Sequence, residues 1–212
     1  MIQQDRARAT RERVVVGAAE VFCRLGYASA SLADITAAAG VTKGALYFHF
    51  QSKEEVARAI IEAEHRIATA AAIEIIASTG SALESMVSLC ADLAKRLVTD
   101  PIVRACIRLT TEASIFEKPP IEPYRDWLLT FERLAAEAIV QGDIRLELDP
   151  ATLARFVVPA FTGVQLVSDV FAHREDLSQR VQEMWMILNP AVVPPDRQER
   201  AAALIDEVFA RE

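Results

Sequence analysis

Apolar residues recur every three to four positions along almost the whole chain, and no stretch alternates polar and apolar with a period of two. That pattern predicts helix rather than strand throughout. A first helix is expected over about Ala7–Leu25, with Val15, Ala18, Ala19, Phe22 and Leu25 on one face and Gly26 as its stop. Ser31 with Asp34 forms a capping box for a short helix, Leu32–Ala39, which Gly40 ends. Thr42 caps a second short helix, about Lys43–His49, and Ser52 with Glu55 opens a long one to about Ala77. After the break at Thr79-Gly80-Ser81, helices are expected over about Ala82–Val98, Pro101–Ile115, Pro123–Gln141, Pro150–Ala172 and Leu177–Leu188. Asp100-Pro101 and Asp149-Pro150 each place a cap before a proline at the first helical position. Glu117-Lys118-Pro119-Pro120 reads as a loop, and Pro190, Pro194 and Pro195 as an interruption. Asp196 with Glu199 should cap a last helix to about Ala210, and Pro159 should bend the helix that contains it. The predicted class is all-α, with about ten helices: a three-helix head and a larger helical body.

The two short helices and the turn Ala39-Gly40-Val41-Thr42 have the form of a helix-turn-helix, because the glycine permits a steep change of direction. Leu32, Ile35, Ala38, Val41 and Leu46 are spaced to close a small core on the first helix, and Phe48 and Phe50 read as further core. Lys43, Gly44, Ala45, Tyr47 and His49 are left with surface. The first turn of such a helix enters the major groove. Gly44 and Ala45 let the backbone come close to base edges, and Lys43 can reach a guanine or a phosphate. Thr42, Tyr47 and His49 suit phosphate oxygens, and Lys53 can neutralise another phosphate.

A net charge of −7 over 212 residues opposes a DNA partner until it is divided. Residues 1–53 hold seven Lys and Arg against four Asp and Glu, a net +3, and the remainder carries −10. A basic head on an acidic body points one end at a polyanion. Catalytic chemistry has little to work with. His49, His65 and His173 are isolated, with no metal-ligand spacing, and neither a nucleophile elbow nor a phosphate-cradling glycine loop occurs. No catalytic residue, metal or cofactor is expected. Cys23, Cys90 and Cys106 are too widely spaced for a disulfide framework or a zinc site, which fits a reducing cytoplasm. No run of about 18 uncharged apolar residues predicts a membrane span, and the charged start lacks the apolar core of a secretory signal.

The run SLADITAAAGVTKGALYFHFQSKEE resembles the TetR family of transcriptional regulators, closely so over residues 7–67. The resemblance implies a DNA-binding domain at 7–67 and a ligand-binding and dimerisation domain at 68–212. It also implies a homodimer that binds a pseudo-palindromic double-stranded DNA operator and is released by a small hydrophobic effector. In the body, DPIVRACIRLTTEA, PYRDWLLTFERL, TGVQLVSDVF and VQEMWMILNPAVVP resemble the γ-butyrolactone receptor subgroup.

That subgroup implies a ligand beneath Trp127, whose indole, flanked by Leu128 and Phe131, suits the wall of an apolar pocket in its own right. Phe131, Phe161, Thr162, Gln165, Thr110 and Thr111 are the other candidate lining residues, although the polar ones can equally find partners within the protein. Glu64 and His65 read as solvated. Late helices would pair two subunits through Val164, Val167, Phe171, Met184, Trp185 and Leu188, with Trp185 equally suited to the core of its own subunit. A regulator of an exporter or a catabolic operon sensing some other hydrophobic molecule is the alternative within the family. An enzyme or carrier with an incidental basic head, and a thiol redox sensor, are the alternatives outside it.

Overall fold

The structure is a computed structural model that describes residues 2–112, 116–118 and 120–211. Among these residues it is all-α: α1 (Ile2–Ser29), α2 (Leu32–Ala39), α3 (Lys43–His49), α4 (Lys53–Ser78), α5 (Ala82–Thr99), α6 (Pro101–Thr111), α7 (Glu122–Val140), α8 (Pro150–Ala172), α9 (Leu177–Val192) and α10 (Gln198–Ala210). The chain forms two compact units, residues 1–68 with 99–120 and residues 69–98 with 121–212. α6 therefore belongs with the N-terminal helices.

The first unit is built on a core from α1, α2, α3, α4 and α6, including Val14, Ala18, Phe22, Ile35, Leu46, Phe50, Val56, Ile60, Cys106 and Leu109. α6 is tied to α1 by polar contacts as well. Arg108 Nη1 donates to Cys23 O at 2.8 Å, and Cys23 Sγ lies 3.5 Å from Pro101 O. The carbonyl of Cys23 lies just before Gly26, which has φ 75° and ψ 166° and breaks the helical run inside α1. In the second unit, α7 packs on α8, α8 on α9 and α9 on α10. Its core includes Leu89, Leu97, Phe131, Leu134, Val157, Phe161, Val181, Trp185 and Ile205.

The caps explain most of the boundaries. Ser31 Oγ accepts from Asp34 N, and Asp34 Oδ2 accepts from Ser31 N at 2.9 Å. Asp100 and Asp149 cap α6 and α8 ahead of their prolines. Ser52 Oγ accepts from Glu55 N, while the Glu55 carboxylate reaches one residue further back, to Gln51 N, at 2.6 Å.

Several expectations need correction. Gly26 kinks α1 rather than ending it, and Leu25 is exposed. Ala38 is exposed, and Ala39 takes its place in the core. α9 runs through Pro190 to Val192, although the proline has no N–H to give to the carbonyl of Met186. Pro195–Arg197 forms a 3-10 turn, so α10 begins at Gln198 without the side-chain cap expected of Asp196. α6 ends at Thr111, and residues 113–115 of its expected extension, with Pro119 of the loop, lie outside the described residues. α8 contains Pro159 within one continuous helix.

Candidate nucleic-acid interface

The turn between α2 and α3 is held from three sides. Gly40 takes the left-handed conformation, φ 61°, where a Cβ would be strained. Val41 N donates back to Thr36 O at 3.1 Å, closing the C-terminus of α2. Arg13 on α1 then donates through Nη2 to the carbonyls of Ala39 at 2.9 Å and Gly40 at 2.6 Å. Across the same junction Gly17 lets α1 and α2 nearly touch, since a Cβ on Gly17 would sit 2.6 Å from Ala39 N. Arg13 and Gly17 carry no motif signal of their own, and their roles emerge only when the helices meet.

Thr42 caps α3, its Oγ1 accepting from Ala45 N at 3.2 Å, which leaves the hydroxyl proton for another acceptor. Leu46 and Phe50, one turn apart, are buried against α1 and α4. The outward face of α3 is consequently Lys43, Gly44, Tyr47 and Phe48. Lys43 Nζ sits 5.8 Å from the centre of the Tyr47 ring. A Cβ on Gly44 would meet nothing within 4 Å. Ala45 and His49 are half-buried, turned toward the flank of the helix.

Phe48 is a correction: expected in the core, its side chain is 76% exposed. Helix geometry explains it. With about 100° per residue, Phe48 lies roughly 200° round the helix from Leu46, and Leu46 with Phe50 already fills the inward side. Lys53 is also redirected. Its ammonium donates to the carbonyls of Tyr27, Ala28 and Ala30 at 2.7, 3.3 and 2.9 Å and lies 4.4 Å from the Tyr27 ring centre. Its protons are directed at carbonyls at the end of α1 and just beyond it, so it acts as a structural cap there.

The candidate ligand residues fall in both units. Trp127, half-buried, packs its ring 6.1 Å from that of buried Phe131 on α7. Phe161 is buried on α8, and Thr162 Oγ1 donates to Val158 O at 3.0 Å. Gln165 is fully buried; Arg174 Nη2 donates to its Oε1 at 3.2 Å, and its Nε2 has no partner. Thr110 and Thr111 lie on α6 in the first unit, where their hydroxyls donate to carbonyls of their own helix. Glu64, expected in solvent, is buried instead, with Cys106 Sγ 3.5 Å from its Oε2. Burial, then the Glu64 carboxylate, pushes the Cys106 thiol up, and burial pushes Cys90 up to about 12. Both thiols are held in the protonated form, which removes from Cys90 and Cys106 the setting a redox sensor needs.

Of the candidate pairing residues, Val167 and Phe171 are exposed and Val164 is half-buried on α8. Met184, Trp185 and Leu188 are buried within their own subunit, with Trp185 only 1% exposed, so they are core rather than interface. The exposed large apolar residues of α9 are Met186 and Ile187, which point away from that core.

Known proteins resemble the chain over both of its parts. The chain matches the family model for bacterial regulatory proteins of the tetR family over residues 14–60 and a tetracyclin repressor-like C-terminal domain over 80–194. It is 36% identical to the A-factor receptor protein of Streptomyces griseus, over 92% of this chain and 68% of that one. A crystal structure of a gamma-butyrolactone receptor, an ArpA-like protein, superposes with TM-score 0.82 at 32% identity, covering 97% of this chain and 100% of the other. CprB from Streptomyces coelicolor, in complex with its biological operator sequence, gives TM-score 0.84 at 33% identity over 96% and 98% of the two chains. TtgR of Pseudomonas putida is 39% identical, but over only 29% of this chain and 30% of its own. The chain thus belongs to the TetR family of DNA-binding transcriptional regulators, a family without enzymatic activity, and resembles the gamma-butyrolactone receptors within it.

Proposed function

We propose that the protein is a repressor released by a small hydrophobic signal, such as a γ-butyrolactone or butenolide. It binds a pseudo-palindromic operator as a homodimer in the cytoplasm. Residues 7–67 serve as the DNA-binding domain and 68–212 as the ligand-binding and dimerisation domain. The observation that carries this reading is likeness to a γ-butyrolactone receptor over essentially the full length of both chains, body included. Likeness to SmeT, the repressor of a multidrug efflux pump of Stenotrophomonas maltophilia, also covers 89% of the chain, but at 26% identity and TM-score 0.74 against 32% and 0.82 for the γ-butyrolactone receptor, which favours the latter reading over that of an exporter regulator.

Thr42, Lys43, Gly44 and Tyr47 approach the major groove from the outward face of α3, with Ala45 and His49 at its flank. Trp127, Phe131, Phe161, Thr162 and Gln165 are the proposed ligand contacts of the second unit, and the unpaired amide nitrogen of Gln165 is a donor suited to a ligand carbonyl. Thr110 and Thr111 are proposed from α6. Subunits pair through Val164, Val167 and Phe171. In support of pairing, α8 is long and apolar enough to cross a membrane by composition alone, yet it packs on α7 and α9 within the regulatory body. Its outer face displays Val170 and Phe171, each 78% exposed, an apolar stripe that a second copy would cover. The dimer would set two α3 helices roughly 34 Å apart, one turn of DNA. Ligand binding would disfavour that spacing, with a coupling of about 1–3 kcal/mol per site.

An electrophoretic shift on the DNA upstream of the protein's own gene tests the reading. A retarded band that disappears on adding a synthetic γ-butyrolactone is expected. A band indifferent to γ-butyrolactones and butenolides but lost with other hydrophobic compounds would favour a different effector.

A further inference from the structure

We propose that Phe48 is a specificity residue, whose ring packs on the C5-methyl group of one thymine in each half of the operator. The proposal rests on α3 being the recognition helix. A phenyl ring can neither donate to nor accept from a phosphate or a base edge, yet this one is far more exposed than the other aromatic ring on the outward face of α3, that of Tyr47 at 39%. It stands four residues after Gly44, so the two share a face. A helical side chain leans over the preceding turn, which here is the turn of Gly44, where a Cβ would have open space for 4 Å around it. The ring and the bare backbone together make a shallow apolar step that can approach a base closely.

Its neighbours on that face, Thr42, Lys43 and Tyr47, carry the polar and charged groups that hold phosphates and polar base edges. The edge contact with His49, 4.9 Å between centres at 87°, steadies the ring from the flank. Among the groups displayed in the major groove, the thymine methyl is the apolar one. A buried phenyl–methyl contact is therefore what this face offers that its polar members cannot.

The test uses the full-length wild-type protein to enrich duplexes from a random pool. Thymines of the enriched duplex are then replaced one at a time by deoxyuridine, which removes only the methyl group. At one thymine per half-site, wild type should lose about fourfold in affinity, the value of burying one methyl group. F48A should bind the thymine duplex and the singly substituted ones equally, at about the affinity of wild type for a duplex with deoxyuridine at that position in both half-sites. F48L, which keeps an apolar side chain, should retain part of the ratio. The side chain is exposed, so both variants should melt at the wild-type temperature. An unchanged thymine-to-deoxyuridine ratio in F48A, or a uniform loss on every duplex as from a sugar–phosphate contact, would overturn the proposal. Failure of wild type to enrich any sequence would instead overturn the recognition-helix reading beneath it.

Discussion

Lys43 projects from the first turn of α3 beside Tyr47 and forms no ion pair with the acidic side chains described in the first unit. Its charge is available to a polyanion. K43A should weaken all duplexes about equally and lower the slope of log affinity against log salt by about one, measured as a titration over several salt concentrations. Gly17 illustrates a residue whose importance lies in what it lacks. In G17A the new methyl group would press on the backbone of Ala39, and overpacking of this kind costs about 1–3 kcal/mol, seen as a lower urea midpoint. Trp127 should separate sensing from binding: W127A is expected to keep operator affinity and lose release by a γ-butyrolactone in the same shift assay. Normal release in that variant would remove Trp127 from the proposed pocket.

The helices are set by their ends as much as by their faces. Asp34 is held below the ordinary carboxylate range by the hydroxyl and then the backbone N–H of Ser31, and Asp149 by the hydroxyl and then the N–H of Thr152. Asp176 is lowered by Ser168 and then Arg180. These groups bind protons less readily folded than unfolded. Their contribution is present above the unfolded carboxylate value, about 3.9, and is lost as pH falls through the lower folded values. Melting temperature should fall more steeply below about pH 4 in wild type than in D149N, which gives up the ionised cap. Such caps are legible in the sequence because a capping box or an Asp-Pro pair is a local signal within four residues. The outward face of α3 is only half legible. Spacing places Leu46 and Phe50, but an aromatic residue reads as core by its type alone, which puts Phe48 on the wrong side, against the helical period itself.

At the scale of the whole molecule, the acidic body repels DNA while the basic head attracts it, so net charge says little and its distribution says much. Pairing of two bodies is the step that makes two heads act together. V170E places a charge on the exposed stripe of α8 and should convert the protein to a monomer by light scattering, with operator binding weakened at least tenfold. A dimer of undiminished stability would move the interface elsewhere. Helix positions, the recognition turn and family membership follow from residues close together in the chain, because caps, turns and helical spacing are local physics. The partition of surface between core and partner does not. Trp185, Met184 and Leu188 have the same apolar character as Phe171, and only the packing of α9 on its own neighbours makes them core. Likewise Lys53 becomes a cap of α1, Glu64 a buried neighbour of Cys106, and α6 part of the first unit. Each of these depends on a contact between residues more than twenty positions apart, where burial and hydrogen-bond satisfaction, rather than local pattern, choose the neighbour.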